Sequence, residues 1–374
     1  MPARLKIAFA HLALLLCGAW SGFGLWAQQS TDSGSESVAI GLLVEDSLWV
    51  EGRYGAEFAV KEINRRGGLR GRQLVLSVKS MEGPWGVGST KTVDLVFEQK
   101  VWALVGLLNG RNSHLVEQVA AKTNVPFISA WAADPTLSKA YVPQFFSCVP
   151  NSEQQGRALL NHLFEKQGSD NWMLVSDDDY DSRIAVKSLI DTEEFQKHPA
   201  SGQFKCSSSN DFKRLVSVMR EKNPRAVVVY CEPELSLELI RFLRAEGLLM
   251  PVYSDLNILH ERNFSGLVSD RIEDLYFLGS GAWMTDRDSD FVQEFHREFG
   301  HYPGAMAAYA FDAIQILFEA IEKSGSDPEM VKQNLSKTSY MGKTGSIEFD
   351  PLGNRKSTSI PRVVSAKRLY ASKP

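Results

Sequence analysis

Apolar residues along this chain fall into two alternating rhythms: short continuous runs, and longer stretches with helical spacing. The run SVAIGLLV at 37–44 predicts a buried strand. In GAEFAVKEIN at 55–64, Ala56, Ala59, Val60 and Ile63 share one face at the i, i+3, i+4, i+7 spacing of a helix. Asn64 and the following RRGGLRGR predict a stop and a tight turn. Further strands are expected at 73–78, 101–108 and 125–130, with helices at 89–99 and 114–124 and a polar loop, NGRNS, before the latter. Strand–helix alternation of this kind predicts a mainly parallel sheet covered on both faces.

The pattern then restarts. Helices are expected at 152–164, 211–223 and 235–248, the last stopped by Gly247, with strands at 171–177, 225–231 and 251–255. The segment 276–283 reads as a crossing between domains, and 307–325 as a long, deeply buried helix. Asp350, Pro351, Leu352, Gly353 and Asn354 give a turn inside a hairpin-like tail. Two α/β units thus follow each other with no Pro/Gly/Ser-rich linker, so the chain is expected to cross between them inside structure.

Composition adds little to this picture, but it removes alternatives. The 374 residues carry a formal charge of −4, with Arg and Lys scattered, so no nucleic-acid partner is expected. Arg4 and Lys6 precede the apolar IAFAHLALLLCGAW, and GLWAQ follows; this reads as a signal peptide over 1–27, then a flexible segment over 28–35. No later run reaches the ~20 apolar residues that span a bilayer. Cys148, Cys206 and Cys231 remain after cleavage, which permits one internal disulfide at most. The sequence has no CxxC and no His/Cys cluster at zinc spacing, so neither metal nor cofactor is expected.

Several stretches occur together in order: GAEFAVKEINRRGGLRGRQLVLSV, LVGLLNGRNSHLVEQVAAKTNVPFISAWAADPTLS, CVPNSEQQG, SDDDY, DFKRLV and GSIEFDPLGN. Together they resemble the type I periplasmic solute-binding proteins, specifically the branched-chain amino acid (Leu/Ile/Val) binding family of ABC transporters. The resemblance covers essentially the whole mature chain. It implies an α/β fold of two Rossmann-like lobes joined by three crossovers, with the ligand in the cleft between them and closure by hinge bending. One lobe is expected over 36–147 and 281–351, the other over 148–280 and 352–374.

The resemblance also implies where a ligand sits. Amino-acid binders of this family hold the ligand carboxylate with hydroxyls and backbone N–H groups at two strand tips. The first tip matches Asn109, Gly110, Arg111, Asn112 and Ser113, with Gly110 at the usual serine; the second matches Trp131, Ala132 and Ala133. Both hydroxyls are missing, which puts an α-amino-acid ligand in question. Tyr180 matches a tyrosine that caps the ligand from across the cleft, and Asp255 falls one position from an acid that pairs with the ligand ammonium. Cys231 falls at an aromatic position of the family, and EDSLW brings Glu45 and Trp49 to the cleft region.

Each candidate has a plainer reading beside its binding role. Trp131 supplies a ring face to an aromatic or aliphatic ligand, or packs as core. Arg111 is a carboxylate clamp or a solvated loop residue. Asn112 and Ser113 donate to a ligand or cap the next helix; capping alone accounts for Ser113. Asp255 meets an amine or caps the following turn. Trp85 reads as a weaker cleft residue and Trp102 as core. Asp177, Asp178 and Asp179 read as a solvated acidic turn, and Asp134 with Pro135 as a helix cap and first helical residue.

Catalysis has no motif to rest on: GxSxG, HExxH and Walker A are absent, and the histidines are dispersed. The sequence therefore predicts a non-enzymatic, exported monomer in the periplasm that captures a small molecule and delivers it to a membrane ABC permease complex. Amino acids and aromatic or aliphatic carboxylic acids are the expected ligands. The alternative is a ligand-sensing module feeding a separate membrane receptor or kinase.

Overall fold

A computed structural model describes residues 37–370, except Trp85 and Ser169. The expected signal peptide, the 28–35 segment and the Trp85 candidate lie outside the described residues.

The first half alternates strand and helix as the periodicity predicts: β1 (Val38–Val44), α1 (Glu51–Arg65), β2 (Leu74–Ser80), α2 (Val87–Phe97) and β3 (Leu104–Leu107). It continues with α3 (Gly110–Thr123), β4 (Phe127–Ser129), α4 (Pro135–Lys139) and β5 (Phe145–Ser147). These strands form one wholly parallel sheet in the order β2-β1-β3-β4-β5. Five of the seven residues of β1 are leucine, isoleucine or valine on buried positions, as a strand covered on both faces requires.

The second run gives α5 (Ser152–Gln167), β6 (Trp172–Ser176), α6 (Tyr180–Ile190), α7 (Glu193–Lys197), β7 (Gly202–Lys205) and α8 (Phe212–Lys222). Then follow β8 (Ala226–Tyr230), α9 (Pro233–Ala245), β9 (Val252–Ser254), α10 (Glu261–Asp270) and β10 (Leu275–Leu278). The remaining elements are α11 (Asp290–Phe299), α12 (Ala305–Ser324), α13 (Pro328–Leu335), β11 (Ser339–Gly342), β12 (Gly345–Glu348), β13 (Val363–Ser365) and α14 (Lys367–Tyr370). The second sheet runs β13-β10-β9-β8-β6-β7, parallel except for β13.

After β10 the chain returns to the first sheet. There α12 packs against α1, β3 and β4. At the α1–α12 crossing the backbones nearly touch: a Cβ on Gly55 would stand 2.1 Å from the Ala307 carbonyl oxygen, so only glycine fits. The chain passes between the sheets three times, after β5, after β10 and between β12 and β13. Arg355 ties the pass after β5 and the pass after β12 to the β11–β12 hairpin. It is fully buried and donates to the carbonyls of Cys148, Thr344, Ser346 and Ser359.

Three local readings need correction. NGRNS is not a loop: Asn109 caps α3, accepting the Asn112 N–H at 2.8 Å, and the helix starts at Gly110. Ser113 is therefore not the cap; it is buried in the first turns, and its hydroxyl has no partner among the described residues. The 177–179 turn is not wholly solvated. Asp177 is buried and accepts the N–H groups of Asp179 and Glu232, so its carboxylate is part of the framework. Trp102 lies just before β3, half-buried, with the Arg72 guanidinium 5.1 Å from its ring.

The turn at 350–354 forms as its residues predict. Asp350 accepts the N–H groups of Leu352 and Asn354, and Gly353 takes the positive φ. Cys148, Cys206 and Cys231 are all buried free thiols.

Candidate functional site

Parallel α/β sheets place loops at the carboxyl ends of their strands, and ligands bind there because helix starts and strand tips leave groups exposed. In this molecule the carboxyl ends of both sheets face one cavity of about 210 Å³. From the first sheet, β1 contributes Glu45 and Trp49, β3 contributes Asn109 and β4 contributes Trp131. From the second, β6 leads to Asp179, Asp181 and Ser182, β8 to Glu232 and Pro233, and β9 to Asn257, His260 and Arg262.

The aromatic wall is continuous. His260 meets Trp49 edge-on at 5.1 Å and Trp131 at 5.9 Å, and Trp131 meets Tyr309 at 6.2 Å. Trp131 is only 5% exposed, so its ring both lines the cavity and packs into the core. The Arg262 guanidinium carbon sits 4.5 Å from the Trp49 ring, a cation–π arrangement. Arg262 also pairs with Glu234 and lies 3.7 Å from Glu232.

The polar lining is acidic. Glu45 accepts from the Asn109 backbone and side chain at 3.0 Å each and from the Asn112 amide, while burial pushes its pKa up. Asp181, at the start of α6, accepts the Gly110 N–H at 3.0 Å; burial, reinforced by Asp179, pushes it up to about 8. His260 is held to about 3 by burial and by Arg262, so its ring is neutral. Its Nδ1 accepts the Arg262 N–H, which leaves the ring proton on Nε2.

Of the residues predicted from sequence, Glu45, Trp49, Asn109 and Trp131 line the cavity, whereas Gly110, Arg111, Asn112, Ala132, Ala133, Tyr180, Cys231 and Asp255 do not. Gly110 lies at the contact between α3 and α6 and gives its N–H to Asp181. Asn112 stands behind the lining, bonded to Glu45. Arg111 is exposed on the first turn of α3 and lies outside the lining. Ala132 is core, and the Ala133 carbonyl accepts from the Ser152 N–H and hydroxyl.

Tyr180 donates its hydroxyl to Asp134 at 2.9 Å, so it bridges the two sets of strand-tip loops. Asp134 caps α4 as expected, with Pro135 at the first helical position, and also meets His114 at 3.2 Å. Asp255 is buried, caps the turn after β9 by accepting the Asn257 N–H, and is pushed by burial to about 7. Cys231 is buried, its thiol pKa raised by burial.

Sequence reasoning missed Asp181, His260 and Arg262. The available signal was positional: each follows a strand of the second sheet, and Glu232 directly follows the predicted Cys231. Among the described residues, no group of His, Cys, Asp and Glu is arranged to hold a metal, and no helix is long and apolar enough to cross a membrane.

Known proteins give this geometry a context. A family model described as periplasmic binding protein matches residues 45–361. The Leu/Ile/Val-binding protein homolog 1 of Brucella melitensis is 24% identical over 361 residues, 94% of each chain. Among solved structures, LivJ of Streptococcus pneumoniae, a branched-chain amino acid transporter substrate-binding protein in complex with isoleucine, has 23% identity. Its TM-score is 0.75, over 88% of this chain and 100% of that one. A solute-binding protein of an ABC transporter from Rhodopseudomonas palustris, in complex with 3,4-dihydroxybenzoic acid, has 18% identity and a TM-score of 0.70. That match covers 85% of this chain and 90% of the other. At these identities the structural likeness speaks for the fold.

Proposed function

The chain belongs to the periplasmic binding protein family, and from that premise we propose that it is an extracytoplasmic solute-binding protein serving an ABC importer. The observation that carries this reading is the convergence of strand tips from two parallel sheets on one cavity with aromatic walls and polar ends. Such a site offers reversible capture. Binding is the proposed activity.

In this reading residues 1–27 are removed on export to the periplasm. The first lobe comprises 36–147 with 281–351, and the second 148–280 with 352–374. The lobes close on a solute, and the monomer presents both lobe tips to a membrane permease. Trp131 and Trp49 form the ligand-facing wall. The proteins similar in fold that hold isoleucine and 3,4-dihydroxybenzoic acid make amino acids and aromatic acids the first candidates to try.

The test is capture. Protein secreted from its native host and gently purified should carry a small molecule that mass spectrometry identifies after denaturation, and re-adding that molecule should raise the thermal midpoint. If neither a co-purifying solute nor any solute of a native extract stabilises the protein, the reading fails.

A further inference from the structure

Resting on the solute-binding reading and narrowing it, the geometry points to a ligand class for the cavity: a small organic ammonium ion with an apolar or hydroxylated body and no carboxylate.

At the first strand tip, the seat where a ligand carboxylate would bind is already taken. The N–H groups at the start of α3 are the natural anion seat at this strand tip. Gly110 donates its N–H to the Asp181 carboxylate, at 3.0 Å and 3.3 Å to its two oxygens, and Asn112 donates its N–H to Asn109. Gly110, Ala132 and Ala133 bring no hydroxyl. Among the described residues Arg262 is the one cationic side chain in the lining, and it is engaged by Glu232, Glu234 and the Trp49 ring.

The charge that remains is negative. Glu45, Asp179 and Glu232 line a space beside Arg262, the one cation of the lining among the described residues, with Asp181 protonated near neutral pH and His260 neutral. A carboxylate ligand would enter a field of its own sign, whereas an ammonium would meet one that attracts it. Glu45 is held by three amide N–H groups and, among the described residues, by no cation at hydrogen-bond distance, so it is open to pairing with one.

Two further features fit such a cation. The Trp49 face already carries a guanidinium, and the Trp131 indole beside it offers a second aromatic surface to alkyl or N-methyl groups. His260 is 6% exposed and lines the cavity, and its Nε2–H has no partner among the described residues. A ligand hydroxyl or carbonyl oxygen would accept from it. The volume, about 210 Å³, lies below the range of about 300–1,000 Å³ typical of drug-sized ligands, which restricts the class to small molecules.

The test uses ligands matched in body and different in charge. The full mature chain is titrated calorimetrically with 3-methylbutylamine, leucine, 3-methylbutanoate and choline. The expected result is binding of 3-methylbutylamine or choline, with leucine and 3-methylbutanoate at least about tenfold weaker. Glu45→Gln, or the more exposed Asp179→Asn should that variant fail to fold, should weaken amine binding at least about tenfold. Leucine or 3-methylbutanoate binding as tightly as the amines would overturn the inference and leave the solute-binding reading standing. If all four are silent, the solute captured from a native extract decides: an ammonium without a carboxylate supports the inference, and a carboxylate overturns it. No capture at all defeats both readings.

Discussion

Gly110 donates its backbone N–H to the Asp181 carboxylate at 3.0 Å, joining the start of α3 to the start of α6. The contact leaves no room for a side chain. A Cβ at position 110 would stand 2.8 Å from Asp134 Cβ and 2.8 Å from an Asp181 oxygen. Gly110→Ala should therefore push the two sets of strand-tip loops apart without disturbing either sheet. Small-angle scattering should report a larger radius of gyration than wild type, with a near-wild-type circular dichroism spectrum. An unchanged radius would mean that the two helix starts yield locally and the contact does not govern closure.

Trp131 serves as both wall and core, and the two roles separate by the size of the replacement. Trp131→Ala should cost about 3–5 kcal/mol of stability, because the buried ring leaves a cavity against His260 and Tyr309. Trp131→Phe keeps an aromatic surface and should cost less, about 1–2 kcal/mol, while weakening capture of the co-purifying solute. Urea unfolding gives the first quantity and calorimetry the second. Capture at full strength in a folded Trp131→Ala protein would remove this residue from the ligand wall.

Most of the fold was legible because its signals are local. The run at 37–44 became Val38–Val44, the β-branched run at 225–231 became Ala226–Tyr230, and GGLRG made its turn with positive φ at Gly67, Gly68, Arg70 and Gly71. The site was less legible because its decisive contacts join residues far apart in sequence. Asp181 reaches Gly110 across 71 positions and Tyr180 reaches Asp134 across 46, and no periodicity encodes such a pairing. Polarity also misled: NGRNS looks like a loop because its caps and helix start use the same polar residues that loops do. The resemblance pointed to strand tips that face the cavity, but the side chains that line it often sit one to several residues beyond the matched positions, as Glu232 does beside Cys231.

Arg355 is fully buried and ties the segment after β5 to the β11–β12 hairpin and the tail that follows it. Its guanidinium reaches four carbonyl oxygens, at Cys148, at Thr344 and Ser346 of the β11–β12 hairpin, and at Ser359, and its charge faces buried Asp312. Arg355→Ala should cost about 3–5 kcal/mol, because it leaves those acceptors and Asp312 uncompensated in the interior. Arg355→Lys should not restore stability, since one ammonium cannot span the fork that the four carbonyls define. Chemical denaturation checks both, and near-wild-type stability for the lysine variant would contradict the tie.

Stability should fall as pH rises, because several buried groups bind protons more tightly in the folded chain. Burial, with Glu261 adding to it, pushes Glu51 up to about 8, and burial pushes Glu261 to about 7 and Asp181 to about 8. A carboxyl group whose folded pKa exceeds its unfolded value of about 4 favours the fold at low pH, and that contribution is lost as pH climbs toward the folded value. His114 acts in the same direction. Hydrogen bonds that its ring donates to the Asp134 and Glu117 carboxylates raise it to about 9, so its stabilisation is complete below about 6.5 and disappears as pH passes 9. The thermal midpoint should therefore be higher at about pH 5 than at pH 9. Glu51→Gln removes the proton binding at one buried carboxyl and should flatten the decline between pH 5 and 8, while His114→Gln should flatten it between 6.5 and 9. A wild-type profile that is level or rises over this interval would show that these groups keep ordinary affinities in the folded chain, and with them the charge that would otherwise be suppressed around the cavity.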